Sequence, residues 1–292
     1  MEPESVAARL WPGRPIEIEP LSGGITNRNF KVLVGGDAYV LRIGGKDTEL
    51  LGIDRHAEHA AALAAAAAGV GPEVVTFAAG ALVTRFIGGR TLTDEEMRSP
   101  ETLALIATML KAFHDGPAVP ARFDSVEVVK TYAATAAERG VEIPEAYERA
   151  LAIAARIERL RGPQPLRPCH NDLLNANFIF DGERVWIVDW EYAGMGDVLF
   201  DLANFSVNNG LRPDEDDALL VAYFGTRDEA AALTAMRFMS DFREAMWGVV
   251  QQGISELDFD FVDYAQTHFD RLERTAAAPR FRAALRTLQG ES

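Results

Sequence analysis

One stretch limits what this chain can fold into more than any other: Cys169-His-Asn-Asp-Leu-Leu-Asn-Ala-Asn-Phe-Ile-Phe-Asp-Gly-Glu-Arg-Val-Trp-Ile-Val-Asp-Trp-Glu-Tyr192. It holds His170-x-Asp172, with Asn177 five residues beyond that Asp. Two short apolar runs follow, Phe178-Ile-Phe180 and Val185-Trp-Ile-Val188, and Asp181-Gly182 between them is a tight-turn signal. A hairpin returns the chain to its starting point. Asn177 and Asp189 are therefore expected side by side, with Asp172 close by. Two carboxylates and an amide oxygen make a hard-oxygen cluster of the kind that holds Mg²⁺ on nucleotide phosphates.

The chain before this stretch reads as strands around one helix. Ile16 to Pro20 is a short strand. Leu21-Ser-Gly-Gly-Ile-Thr-Asn-Arg28 is a turn, and Asn29 to Val34 and Ala38 to Ile43 form a hairpin about Gly35-Gly36-Asp37. Gly23 and Gly24 would let the backbone approach phosphate oxygens, although such a pair by itself is more commonly a plain surface turn. Arg42 alternates with apolar neighbours and needs a carboxylate to hold it. Asp54 to Ala68 is an alanine-rich helix with Asp54 as its cap, and Glu58 on its first turns is the candidate partner. Glu73 to Ala78 and Ala81 to Ile87 are a further strand pair.

Gly88-Gly89 then marks a boundary, which divides the chain into an N-lobe of residues 1–87 and a C-lobe of residues 88–292. Beyond it the pattern is helical. Ser99-Pro100 caps a helix carrying Leu103, Ile106, Leu110 and Phe113, with His114 expected to be structural. Helices are also expected over 144–161, 213–224, 228–253, 260–277 and a last one ending at Leu288. Strands come first and helices second, without β-α-β alternation, so the fold class is α+β. The Gly-x4-Gly-Lys-Ser/Thr signature of Walker-type nucleotidases is absent.

Charge narrows the partners. The formal net charge is -15, which argues against nucleic acid and suits a cationic small molecule. The single cysteine, Cys169, gives neither a disulfide framework nor zinc spacing. No leader peptide or membrane span is read from the sequence, so a cytoplasmic enzyme with no membrane partner is the expectation.

With these residues in view, the chain resembles the choline/ethanolamine kinase branch of the aminoglycoside phosphotransferase superfamily. The resemblance rests on Leu21-Ser-Gly-Gly-Ile-Thr-Asn27, Tyr39-Val-Leu-Arg-Ile43, Arg55-x-x-Glu58, the 170–177 loop, Ile187-Val-Asp-Trp-Glu-Tyr-Ala-Gly194 and Phe200-Asp-Leu-Ala-Asn204. Late segments add to it: Trp247-Gly-Val-Val-Gln-Gln-Gly-Ile-Ser255, Asp258-Phe-Asp-Phe261 and Tyr264-Ala265. It implies a protein-kinase-like two-lobe fold, with a small antiparallel-sheet N-lobe and a larger, mainly helical C-lobe. It also implies ATP-dependent phosphorylation of a small, cationic alcohol.

Asp172 would be the catalytic base, and Asn177 and Asp189 would hold Mg²⁺. Gly23, Gly24, Thr26, Asn27, Arg42 and Glu58 would serve the nucleotide phosphates, and Arg85, Phe86 and Ile87 the adenine. Glu191, Tyr192, Asn208, Glu244, Trp247 and Tyr264 would face the acceptor. The sequence departs from the eukaryotic choline-kinase pattern at two of these. Glu244 stands where a second Trp is expected, and Asn208 stands where an acidic residue is expected. Choline, ethanolamine, thiamine and aminoglycoside acceptors therefore stay open, as does a nucleotide-binding protein without transfer activity. A metal-dependent hydrolase built on His170-x-Asp172 lacks a third ligand.

Overall fold

The computed structural model describes residues 2–21 and 26–291. Gly23 and Gly24 lie outside the described residues. The chain opens with a helix that the sequence reading did not expect, α1 (Pro3–Leu10), which has Pro at its first turn and buries Val6 and Ala7. The strands β1 (Ile16–Pro20), β2 (Asn27–Val34) and β3 (Asp37–Gly44) follow, then α2 (Arg55–Ala67), β4 (Val74–Ala78) and β5 (Ala81–Arg85). They form one antiparallel sheet in the order β1-β2-β3-β5-β4.

Strand alternation sorts the side chains of this sheet. Val32, Val34, Leu41, Ile43, Ala81 and Val83 pack with Val6 and Ala7 of α1 into one apolar core. Arg42, between Leu41 and Ile43, points to the opposite face. Asp54 caps α2 by accepting from the backbone N–H groups of His56 and Ala57.

Next come β6 (Arg90–Thr91), α3 (Asp94–Met97), α4 (Pro100–His114), α5 (Ser125–Glu138), α6 (Ala146–Arg161) and β7 (Arg167–Cys169). The hairpin strands are β8 (Phe178–Phe180) and β9 (Val185–Ile187), and β10 (Gly194–Gly196) follows. The chain ends with α7 (Val198–Asn208), α8 (Pro213–Phe224), α9 (Ala230–Ile254), α10 (Phe261–Ala277) and α11 (Pro279–Leu288). The fold is α+β and protein-kinase-like, with a small antiparallel sheet and a larger, mainly helical part.

The chain divides into two compact units, 1–91 with 176–191, and 92–175 with 192–292. The hairpin thus groups with the sheet. The backbone N–H of Ile187 donates to the Val70 carbonyl at 2.8 Å, and β6 pairs with β8. Asp181 shapes its turn: Oδ1 accepts from the N–H groups of Glu183 and Arg184, both at 2.8 Å, and Oδ2 accepts from Trp186 Nε1 at 2.6 Å. These bonds, the Trp186 indole first, pull the Asp181 carboxyl down to about 2. In the second unit, α9 is the central helix, and α5, α6, α7, α10 and α11 pack against it. None of the described helices is long and apolar enough to cross a membrane.

Candidate active site

In the first unit, Arg42 is the hinge of a charged ladder. Its Nη1 donates to Glu58 Oε1 at 3.1 Å and also to Asp189 Oδ1. Glu58 is 2% exposed, so it is a buried anchor and not a solvated helix residue. Arg55 Nη1 donates to Glu58 Oε2 at 2.8 Å and to Glu191 Oε2 at 3.3 Å. Glu191 also accepts from Thr26 Oγ1 and, at 2.8 Å, from Asn27 Nδ2. Two arginines therefore sit among three carboxylates.

Burial works to lower the Arg42 pKa, but Asp189 and Glu58 outweigh it and the net shift is upward, so Arg42 stays a cation. Glu191 moves the other way: burial, then the charge of Asp189, pushes its carboxyl up to about 7.

The hairpin register sets Asn177 against Val188. Phe178 pairs with Ile187, and the Val188 N–H donates to the Asn177 carbonyl at 3.0 Å. The strand thus delivers Asp189 one residue beyond Asn177's partner, near Asn177 but not opposite it. Asp189 adopts φ 69°, a left-handed backbone uncommon outside glycine and concentrated at functional sites. An amide oxygen just before β8 and a carboxylate just after β9 are a hard donor pair, and that chemistry fits Mg²⁺.

In the second unit, α7 suspends the loop that carries Asp172. β7 and β10 pair antiparallel, Cys169 opposite Gly194. Asp201 of α7 then accepts from the His170 N–H at 2.7 Å and the Asn171 N–H at 2.6 Å, and Asn204 Oδ1 accepts from the Leu173 N–H at 2.5 Å. Buried backbone donors are satisfied and Asp172 is presented between them. Asn171 takes φ 66°, which asparagine tolerates. Asp201 and Asn204 were legible only as part of a motif; their role as the loop's support is visible in the fold alone. His170 braces the loop from within, its Nδ1 accepting from the Asp172 N–H at 3.2 Å.

His114 is structural, as expected. It is buried between Tyr223 Oη at 2.7 Å and Asp201 Oδ2 at 2.9 Å. With Cys169 these groups lie close enough to cage a metal. However, both ring nitrogens of His114 and both oxygens of Asp201 are already hydrogen-bonded, so the cluster is a satisfied polar network.

Four of the acceptor candidates, Tyr192, Glu244, Trp247 and Tyr264, gather around a residue the sequence reading missed, Arg243. Its side chain is 1% exposed, and Nη1 donates to Asp172 Oδ1 at 3.1 Å and to Glu244 Oε1 at 2.6 Å. Its guanidinium lies 4.5 Å from the centroid of the Tyr192 ring. Tyr264 Oη donates to Glu244 Oε2 at 2.8 Å, and Trp247 Nε1 donates to Tyr192 Oη at 3.0 Å. Burial works to raise the Glu244 pKa, but the neighbouring charges of Arg243 and His268 outweigh it, and the carboxyl is held low. The signal in the sequence was a charged pair, Arg243-Glu244, inside the otherwise apolar run from Phe242 to Val250.

The remaining candidates are dispersed. Asn208 ends α7, and its Nδ2 is buried without a hydrogen-bond partner. Arg85 is bound at the sheet surface by Glu73 at 3.2 Å and Asp37 at 3.1 Å, in the first unit. Phe86 follows it, its N–H on the Ala38 carbonyl at 3.1 Å, and Ile87 comes next. Glu191 belongs to the first unit and is tied to Thr26, Asn27 and Arg55.

Comparison with known proteins decides the relationship. Residues 17–238 match the phosphotransferase enzyme family. A choline/ethanolamine kinase family protein from Mesorhizobium loti, known from its crystal structure, is 33% identical. The alignment covers 98% of each chain, with a TM-score of 0.82. The chain belongs to the choline/ethanolamine kinase family. Among curated relatives of this family member, a probable ethanolamine kinase of Arabidopsis thaliana is 26% identical, over 85% of this chain and 76% of its own. Protein LicA of Haemophilus influenzae is 25% identical, with the same coverage of 85% and 76%. As a member of this family the chain is a phosphotransferase of the small-molecule kinase kind.

Proposed function

We propose that the chain transfers the γ-phosphate of ATP to the hydroxyl of choline or a related amino alcohol, with Mg²⁺. The observation that carries this reading is the position of Arg42, gripped by buried Glu58 on one side and by Asp189 on the other. A cation held by a helix carboxylate next to a carboxylate suited to metal is the constellation phosphoryl transfer needs, because that reaction depends on alignment and charge stabilisation.

Asn177 and Asp189 would hold Mg²⁺, which when bound neutralises phosphate charge. Arg42 would turn toward the phosphates, and Glu58 would keep it from swinging into solvent. Asp172, fixed by the α7 contacts, would align the acceptor hydroxyl and take its proton. The acidic balance of the chain favours a cationic acceptor. A soluble, cytoplasmic enzyme is part of the same reading.

The test is release of ADP, coupled to a spectrophotometric readout, over choline, ethanolamine, thiamine and aminoglycosides with Mg²⁺. Turnover dependent on an amino alcohol supports the reading. Turnover confined to thiamine or aminoglycosides moves the acceptor class, and ATP binding without turnover on any alcohol returns the chain to a nucleotide-binding protein.

A further inference from the structure

One of the aromatic residues expected to surround the acceptor, Tyr192, is packed onto a cation of the chain itself. Taking the amino-alcohol kinase reading as its basis, we propose that Arg243 makes the acceptor site select an ammonium that still carries N–H groups and reject a quaternary ammonium.

A quaternary ammonium has no hydrogen to donate and is held by the faces of aromatic rings, within about 6 Å of their centroids. One face of Tyr192 is already taken at that range, by the Arg243 guanidinium at 4.5 Å. Trp247 is 7% exposed, with Phe261 and Tyr264 set edge-on to it at 5.8 and 5.4 Å. Tyr264 in turn packs on His268 at 4.6 Å and Phe259 at 6.0 Å. The aromatic group is closed on itself and is not an open cage.

The charges point the same way. Arg243 is bonded to Asp172, so the reacting end of the site already contains a buried positive charge. A trimethylated head brought beside it sets cation against cation, with no hydrogen bond in return.

An ammonium with N–H groups meets a different surface. A carboxylate has about four lone-pair sites. Glu244 gives one to Arg243 and one to Tyr264, so each of its oxygens can accept again.

The experiment is a methylation series on the intact chain. Initial rates of ADP release are measured with ethanolamine, N-methylethanolamine, N,N-dimethylethanolamine and choline. kcat/KM should fall along the series by about tenfold or more, with the largest step where the last N–H is lost. Choline turned over as well as ethanolamine, or better, overturns the inference and leaves the kinase reading intact. No turnover with any of the four refutes the amino-alcohol reading, and the inference falls with it.

Arg243→Met should bring the choline-to-ethanolamine ratio toward one, whereas Arg243→Lys, which keeps the charge, should preserve the selectivity. An unchanged ratio in a folded Arg243→Met protein overturns the role of Arg243. If that variant does not fold, calorimetric titration of the unaltered chain decides. Ethanolamine binding more tightly than choline, with a non-hydrolysable ATP analogue present, supports the inference, and equal affinities overturn it.

Discussion

Gly248 of α9 lies against Tyr264 of α10 so closely that a β-carbon at Gly248 would stand 2.9 Å from the Tyr264 ring and 3.0 Å from the Ala265 nitrogen. Glycine weakens a helix interior, so its presence here is a packing requirement. The close approach brings the Tyr264 hydroxyl to Glu244. Gly248→Ala should therefore lower the melting temperature despite alanine's better helix propensity, by an overpacking cost of about 1–3 kcal/mol. Thermal unfolding followed by circular dichroism reads this directly. An unchanged or higher melting temperature would mean that α10 is free to shift.

The Arg42–Glu58 pair separates stability from chemistry. Arg42→Met leaves buried Glu58 with Arg55 alone and takes the cation from Asp189, a loss of up to about 3–5 kcal/mol. Adding Glu58→Gln should recover part of that stability, because one of the two carboxylates that faced Arg42 is then neutral. Activity should remain depressed by about a hundredfold or more in both proteins, since electrostatic stabilisation of the transferred group is lost. Melting curves and ADP release on the same samples check both halves.

Glu244 gives a pH dependence of definite sign. Its folded-state pKa is lowered, so its contribution to stability is present above the ordinary value of 4.5 and is lost as pH falls through the depressed one. Melting temperature should decline as the solution is acidified below that ordinary value. Glu244→Gln should show a shallower decline over the same window, and identical slopes would remove Glu244 from the ionised network.

Cys169 is completely buried, and burial, followed by the charges of Asp201 and Asp197, raises its pKa well above the usual thiol value. A thiol in that state is a poor nucleophile. The native protein should resist a water-soluble disulfide reagent at pH 8, while the chain in guanidinium should titrate one thiol. Rapid labelling of the native protein would place Cys169 in an accessible position.

Much of this was written in local sequence. Alternating apolar residues gave the sheet strands, and spacing within 170–189 set Asn177 and Asp189 on one hairpin. Helical periodicity gave α4, α6 and α8 to α11. Four helices, α1, α3, α5 and α7, escaped that reading, and for two of them the physical reason is plain. α1 has eight residues and only a narrow apolar stripe. α5 buries small side chains, Ala133 and Ala136, between Val129 and Tyr132, so its periodicity is faint.

Contacts between distant positions left no local trace. Arg243 and Asp172 are 71 residues apart, and Asp201 reaches back 31 residues to His170. The Glu191 carboxylate shows the same limit: its neighbours Thr26 and Asn27 lie 165 and 164 residues away. Side chains that hold a site in place are chosen by the fold, and spacing does not reveal them.

The most direct measurement is single turnover with Asp172→Ala, run beside calorimetry of Mg²⁺-nucleotide binding. If Asp172 aligns the acceptor and takes its proton, transfer to the best amino alcohol falls by a factor of about 10² or more, while nucleotide affinity stays within a few-fold of the unaltered chain. Transfer at the original rate in the alanine protein would contradict the account.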